Sequence, residues 1–153
     1  FELGVPAPDP TIYVSATCLS DPSHAPEQHM NLFVLVNAPS LGQGRFSYDW
    51  KREAVGYSEL VIRKLERMGL DDLSEQIVVR RIITPNDLAE SYNAANGAIY
   101  GPASNNPFSA FARPPLRAID LPQIFFVGGG THPGGGIPLV LLSGKAVSEA
   151  ILS

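Results

Sequence analysis

The sequence is poor in several features that would fix a protein's class at once. Among its 153 residues there is a single cysteine, Cys18, so no internal disulfide can form, which suits the cytosol. No base lies near Cys18 in sequence to activate it, which leaves it a small core or surface residue. No run reaches the roughly 18 uninterrupted apolar residues of a membrane-spanning helix. Charge is sparse: 11 Lys and Arg against 15 Asp and Glu give a net charge of −4, with no basic footprint for nucleic acid. His24 and His29 stand five apart on a polar loop without Cys or carboxylate partners at ligand spacing, so no metal is expected. Both familiar phosphate fingerprints fail. A P-loop ending in Gly144 and Lys145 has Ala146 where Ser or Thr belongs and Leu139 where its first glycine belongs, and a GxGxxG reading from Gly128 and Gly130 meets Pro133 in place of the last glycine.

What is present is concentrated in Phe125 to Lys145, FFVGGGTHPGGGIPLVLLSGK. The apolar run Ile124 to Val127 reads as a strand that enters a turn with six glycines and leaves it as a helix. Gly128, Gly129 and Gly130 allow a sharp turn with positive φ and let a ligand lie against bare backbone, and Gly134, Gly135 and Gly136 do the same beside the helix start. Pro138 suits a first helical turn, where its missing N–H costs nothing, so the helix should begin near Ile137. Such an arrangement brings backbone N–H groups and a helix N-terminus to one point, where an anion or an electron-rich ring edge can be received. The helix is apolar on almost every side, through Leu139 to Leu142, Ala146, Val147, Ala150 and Ile151, with Lys145 and Glu149 as an i,i+4 pair. A helix of that kind is normally buried within a larger body.

Elsewhere the chain alternates strands and helices, and with 44% hydrophobic and 17% charged residues it suits one core. Thr11 to Leu19 predicts a half-buried strand, and Leu32 to Val36 a central strand covered on both faces, the two joined by a hairpin-like return in an antiparallel sheet. Asp49 to Met68 predicts a helix capped by Asp49 and stopped by Gly69, with Ala54, Val55, Ile62, Leu65 and Met68 inward and Arg52, Glu59, Arg63, Lys64 and Glu66 on a solvated face. Ile77 to Ile83 predicts a strand, and Thr84, Pro85 and Asp87 start a short helix to about Ala94. From Asn96 to Pro122 the composition becomes that of a long loop carrying Ile99, Tyr100, Phe108 and Phe111, which either pack it down or line an apolar substrate channel.

The run Val127 to Pro138, with its unusual Thr131, His132 and Pro133 between glycine triplets, closely resembles the C-terminal flavin-contacting signature of the phytoene desaturase family, the flavin-dependent carotenoid desaturases and isomerases. Ser20 to Ser23 with Ala25, Pro26 and Glu27, the Leu32 to Val36 strand, Thr84 to Leu88, and Phe111 to Pro114 resemble that family's late substrate-domain region. The resemblance covers most of the chain, yet the family's N-terminal GxGxxG unit for the ADP half of FAD is missing. Together with a start, Phe1 to Pro10, that has no initiator Met or signal-peptide pattern, this suggests a fragment.

The resemblance implies an α+β fragment. Residues 1–120 would be part of a substrate domain, an antiparallel sheet with packed helices and the long apolar loop 96–122. Residues 123–153 would be the C-terminal strand, glycine turn and helix of a Rossmann-like FAD-binding domain. FAD would be held by Gly128, Gly129, Gly130, Thr131, Gly135, Gly136, Ile137 and Pro138, and a polyene such as phytoene, lined by Tyr100, Phe108 and Phe111, would lose hydride to the flavin. His132 either serves as acid or base or holds the turn's shape. Arg113 either meets a phosphate or flavin edge or makes a surface salt bridge. The further partners implied are the missing N-terminal half of the same polypeptide, a peripheral membrane contact in a cytoplasmic setting, and self-association through the final helix; the piece alone would be inactive. A retinol-saturase-like enzyme, a carotenoid isomerase or an amine oxidase is the alternative within the same fold, though Gly130 stands where an amine oxidase would carry an acidic residue. Outside it, the alternative is a small module that binds an anion or a partner peptide without catalysis.

Overall fold

The structure is a computed structural model that describes residues 2–101 and 113–152. The described residues form an α+β arrangement of a two-stranded antiparallel sheet and four α-helices, and the chain divides into two compact units, 1–87 and 88–153.

The first unit is organised by helix α1, Trp50–Arg67. Asp49 caps it as the sequence predicts, its carboxylate accepting from the N–H groups of Lys51 and Arg52 at 3.1 and 3.3 Å, and Gly69 ends it at φ +108°. Trp50, Tyr57, Val61 and Leu65, seven and then four residues apart, form its buried stripe. The rings of Tyr48, Trp50 and Tyr57 meet edge-on with centroids 4.7 and 6.0 Å apart. Ile12, Val36, Ala38 and Leu41 close over this stripe. Two of the expected inward residues are outside, Val55 at 56% and Met68 at 69% exposure. Conversely, two charges on the supposedly solvated face hold neighbouring chain: Lys64 pairs with Asp9 and donates to Pro10 O at 2.8 Å, and Glu59 pairs with Arg80. Tyr57 anchors the same N-terminal segment by donating to Ala7 O at 2.9 Å.

Strands β1 (Ile12–Ser15) and β2 (Phe33–Val36) pair antiparallel in the register Ile12 to Val36 through Ser15 to Phe33. The first is shorter than expected, because residues 17–19, Cys18 included, turn into a 3-10 segment where Asn31 accepts from Cys18 N–H at 2.9 Å and donates to Thr17 Oγ1 at 2.7 Å. The second is an edge of a two-stranded sheet, not a covered central strand, and Phe33 is 55% exposed. The expected strand at 77–83 does not form: among the described residues no strand offers it a ladder, and Val78 and Val79 stand 78% and 86% exposed. A one-turn helix α2, Leu73–Gln76, precedes it, tied to α1 by Ser74 N–H and hydroxyl donating to Glu66 at 2.8 and 2.6 Å.

Helix α3, Pro85–Tyr92, starts where predicted and ends two residues short of Ala94. In the second unit a 3-10 turn at 95–97 follows. Residues 116–126 then double back, joined by Ala118 N–H to Ile124 O at 3.0 Å and Phe126 N–H to Leu116 O at 2.8 Å. The expected strand at 124–127 is thereby reduced to one antiparallel bridge, Arg117 to Phe125. Helix α4, Ile137–Leu152, begins at the predicted residue and keeps the Lys145 to Glu149 pair at 3.7 Å. Of its residues only Ser143 and Val147 are buried, while Leu141, Leu142, Ile151 and Leu152 are more than half exposed. Among the described residues no helix is long and apolar enough to cross a membrane.

The α3 start yields a pH-dependent expectation. Asp87 accepts from Thr84 N–H at 2.7 Å and from the Thr84 hydroxyl, and these bonds, the hydroxyl's foremost, hold its carboxyl below the usual carboxylate range. Because the folded pKa is lowered, the contribution is complete above the unfolded value of about 3.9 and is lost as pH falls through the folded one. Asp87→Ala is expected to cost about 0.5–1 kcal/mol at pH 7, a modest effect because Asp87 itself is exposed, with the difference from the unaltered protein vanishing at strongly acidic pH in a thermal-unfolding series.

Candidate functional site

The glycine turn between residues 127 and 137 has neighbours that take up its backbone groups on one side and leave it open on the other. At its entry, Gly128 N–H donates at 3.0 Å to Ser143 Oγ, whose own proton goes to Val140 O at 2.6 Å. Ser143 is wholly buried, at 0% exposure, so this hydroxyl joins the turn to the third residue before it on α4 without competition from water. At the middle, the buried Thr131 hydroxyl donates to Pro114 O at 2.7 Å, and the N–H of His132 reaches the same carbonyl at 3.1 Å. Arg113 donates to Gly129 O at 2.9 Å. The two triplets touch: a methyl group on Gly129 would stand 3.3 Å from Gly135 Cα, and one on Gly135 would stand 3.1 Å from the Tyr100 ring.

The other side is different. A methyl group on Gly128, Gly130 or Gly136 would meet no described atom within 4 Å. Among the described residues, the N–H groups of Gly129, Gly130, Gly134, Gly135 and Gly136 donate no hydrogen bond. Gly136, at φ +104°, needs the freedom of glycine to swing the chain into α4, whose exposed first residues are Ile137 and Pro138. Open backbone at Gly136 therefore adjoins the N-terminus of a sixteen-residue helix. That combination favours a group carrying negative charge or a carbonyl edge.

The residues assigned to a cofactor from sequence thus divide. At Gly128, Gly130 and Gly136 a Cβ would meet open space, and Ile137 and Pro138 are exposed. Gly128, Gly129 and Thr131 have a backbone or hydroxyl group committed within the turn, and Gly135 lies under Tyr100, itself 64% exposed. His132 is tied through its backbone N–H, while its imidazole is exposed and bonds no described residue. Phe108 and Phe111 lie outside the described residues. Among those described, no cluster of three or more His, Cys, Asp or Glu side chains could hold a metal.

No family model matches the chain. Three relatives are informative. A 1-hydroxycarotenoid 3,4-desaturase of Flavobacterium sp. (strain P99-3) is 36% identical over 143 residues, covering 94% of this chain and 28% of the relative. A 4,4'-diaponeurosporene oxygenase of Staphylococcus haemolyticus is 39% identical, with the same coverage of each. A 4,4'-diapolycopene oxygenase of Methylomonas sp. is 38% identical over 148 residues, covering 95% of the chain and 29% of the relative. This chain belongs to the carotenoid desaturase and oxygenase family. It spans a little over a quarter of the length of these family members.

One contributor to the site, Ser143, was not assigned from the sequence. It had a signal, since it is a hydroxyl between apolar Leu142 and Gly144 in the apolar first half of α4. Arg113 was weighed for a phosphate or flavin edge or a salt bridge, and the structure shows it donating to the backbone carbonyls of Gly129 in the glycine turn and of Tyr100. Replacing Ser143 by Ala leaves the Gly128 N–H and the geometry of the turn entry without their buried acceptor. A loss of about 1–3 kcal/mol in unfolding free energy is expected by denaturant titration. Ser143→Cys, which keeps a weak acceptor, should lose less.

Proposed function

We propose that this chain is part of a longer FAD-dependent oxidoreductase that acts on a carotenoid or a related polyene, with residues 123–153 in its FAD-binding domain and residues 1–120 in its substrate domain. The observation that carries the proposal is the open face of the glycine turn, where Gly130, Gly136 and the start of α4 present bare backbone to space that a Cβ would occupy. That face fits the pyrophosphate-to-ring portion of a flavin nucleotide. Gly129 and Gly130 would approach the pyrophosphate and ribityl region, and Gly136 to Pro138 the flavin's C2 carbonyl and N1.

In this reading the flavin supplies the two-electron acceptor for hydride removal from the polyene. The chain's own residues bind, orient and polarise. The N-terminal end of α4 bears partial positive charge and favours negative charge at the ring edge by about 0.3–1 kcal/mol, up to about 2 if the contact is partly buried. Ser143, Thr131 and Pro114 hold the turn in place, and the exposed His132 imidazole is available to orient a neighbour or to move a proton. Tyr100 would line the path of an apolar substrate. The exposed apolar face of α4 and the exposed side chains of Ile124, Phe126 and Val127 support burial against the remainder of a longer polypeptide.

The named relatives include one desaturase and two oxygenases at 36–39% identity, so this region supports carotenoid oxidation more strongly than either outcome. Removal of hydrogen from phytoene is the finer form of the proposal. An amine oxidase is disfavoured by Gly130.

The test is the visible spectrum of the purified longer protein, before and after denaturation and after anaerobic addition of phytoene. A released flavin that is bleached by the polyene is the expected result; a flavin indifferent to polyenes would keep the cofactor and discard the substrate. A folded protein with no flavin would favour an anion- or peptide-binding module instead. Gly130 refines the test, because its φ is not in the left-handed region and a methyl there meets nothing described. Gly130→Ala should leave thermal stability unchanged while weakening FAD binding by about tenfold or more, and Gly130→Val should weaken it further. Full FAD occupancy in Gly130→Val would remove the proposed placement.

A further inference from the structure

Arg113 lies between the two glycine triplets of the turn. Its guanidinium donates to Gly129 O at 2.9 Å and to Tyr100 O at 3.4 Å. On the other side it packs against the second triplet, where a methyl group on Gly134 would stand 3.3 Å from its Nε and 3.4 Å from its Cζ. One side chain therefore bridges Gly128–Gly130 to Gly134–Gly136.

The hydrogen bond to Gly129 O has a consequence one atom further along. In a trans peptide the carbonyl of one residue and the N–H of the next point in opposite directions. Holding Gly129 O against Arg113 therefore directs the N–H of Gly130 away from it, and that N–H is one of those that donates to no described residue. A peptide flanked by two glycines has little steric preference of its own and could rotate through half a turn, presenting a carbonyl oxygen where an N–H is needed. A guanidinium on the carbonyl side opposes that rotation, since a hydrogen bond from a charged donor is roughly twice as strong as a neutral one.

We propose that Arg113 is a positioning residue that fixes the orientation of the Gly129–Gly130 peptide, so that the Gly130 N–H faces the anionic part of the cofactor. The proposal rests on the FAD reading for the identity of the ligand, and on geometry alone for the peptide.

The test uses the longer protein, with Arg113→Gln and Arg113→Lys compared by hydrogen exchange of the peptide spanning 128–134 in apoprotein and by FAD titration. Arg113→Gln is expected to speed exchange across this peptide and to weaken FAD binding by about tenfold, at unchanged melting temperature. Arg113→Lys, which keeps a charged donor, should recover most of both. Unchanged exchange and affinity in Arg113→Gln would overturn the proposal. Equal losses in both variants with a lowered melting temperature would also overturn it, reducing Arg113 to a packing residue. If the unaltered protein binds no flavin, the FAD reading fails by that result alone, and the exchange comparison still decides whether Arg113 orients the peptide.

Discussion

A turn with six glycines has almost no side chains with which to hold its own shape, and the rest of the second unit is arranged around that deficiency. Ordering a backbone costs about 1–2 kcal/mol per residue, and most for glycine, so a single conformation has to be imposed from outside. Ser143 from α4 takes the first N–H, Arg113 takes a carbonyl in the middle, and Thr131, the largest buried side chain within the turn, is anchored to Pro114. The run Arg113, Pro114, Pro115 suits this task. Proline carbonyls stay available as acceptors while the missing N–H groups ask for no partner of their own.

These ties also decide which backbone groups of the turn are already used. The groups met by Ser143, Arg113 or Pro114 are satisfied, whereas the N–H groups of Gly129, Gly130, Gly134, Gly135 and Gly136 donate to no described residue. Backbone left unsatisfied in this way is what the proposed cofactor would use. Apolar side chains on α4 and on residues 124–127 are also exposed, in a chain that spans a little over a quarter of its relatives' length.

The elements that could be read from sequence are those whose cause is local. Asp49, the Thr84, Pro85, Asp87 trio and the Ile137, Pro138 pair each satisfy or dispense with N–H groups within one turn, and all three helices begin where these signals put them. Residues 77–83 and 124–127 have strand composition equally clearly, but a strand is completed by a neighbour, and the described residues provide none to the first and one bridge to the second. The same distinction runs through α1. Its apolar spacing was legible, and the expected Ile62 and Leu65 are buried, yet the stripe also takes in Trp50, Tyr57 and Val61, while Lys64 and Glu59 hold the N-terminal segment and Arg80.

The site follows that rule at finer scale. The turn and helix start of the candidate site were legible because glycine, proline and helix-start signals coincide in twelve consecutive residues, and the relatives at 34–39% identity bear out the family that this run suggests. Its internal division was not, because whether a given glycine faces a ligand or a neighbour depends on Arg113, fifteen residues before Gly128, and on Ser143, fifteen after. Long-range hydrogen bonds of this kind leave no periodicity. They do leave a different trace, a polar side chain in a setting that gives it no evident reason to be there: a hydroxyl inside an apolar helix, and an arginine before two prolines. In a glycine-rich site such residues deserve the first scrutiny, since the turn cannot shape itself and something nearby must do so.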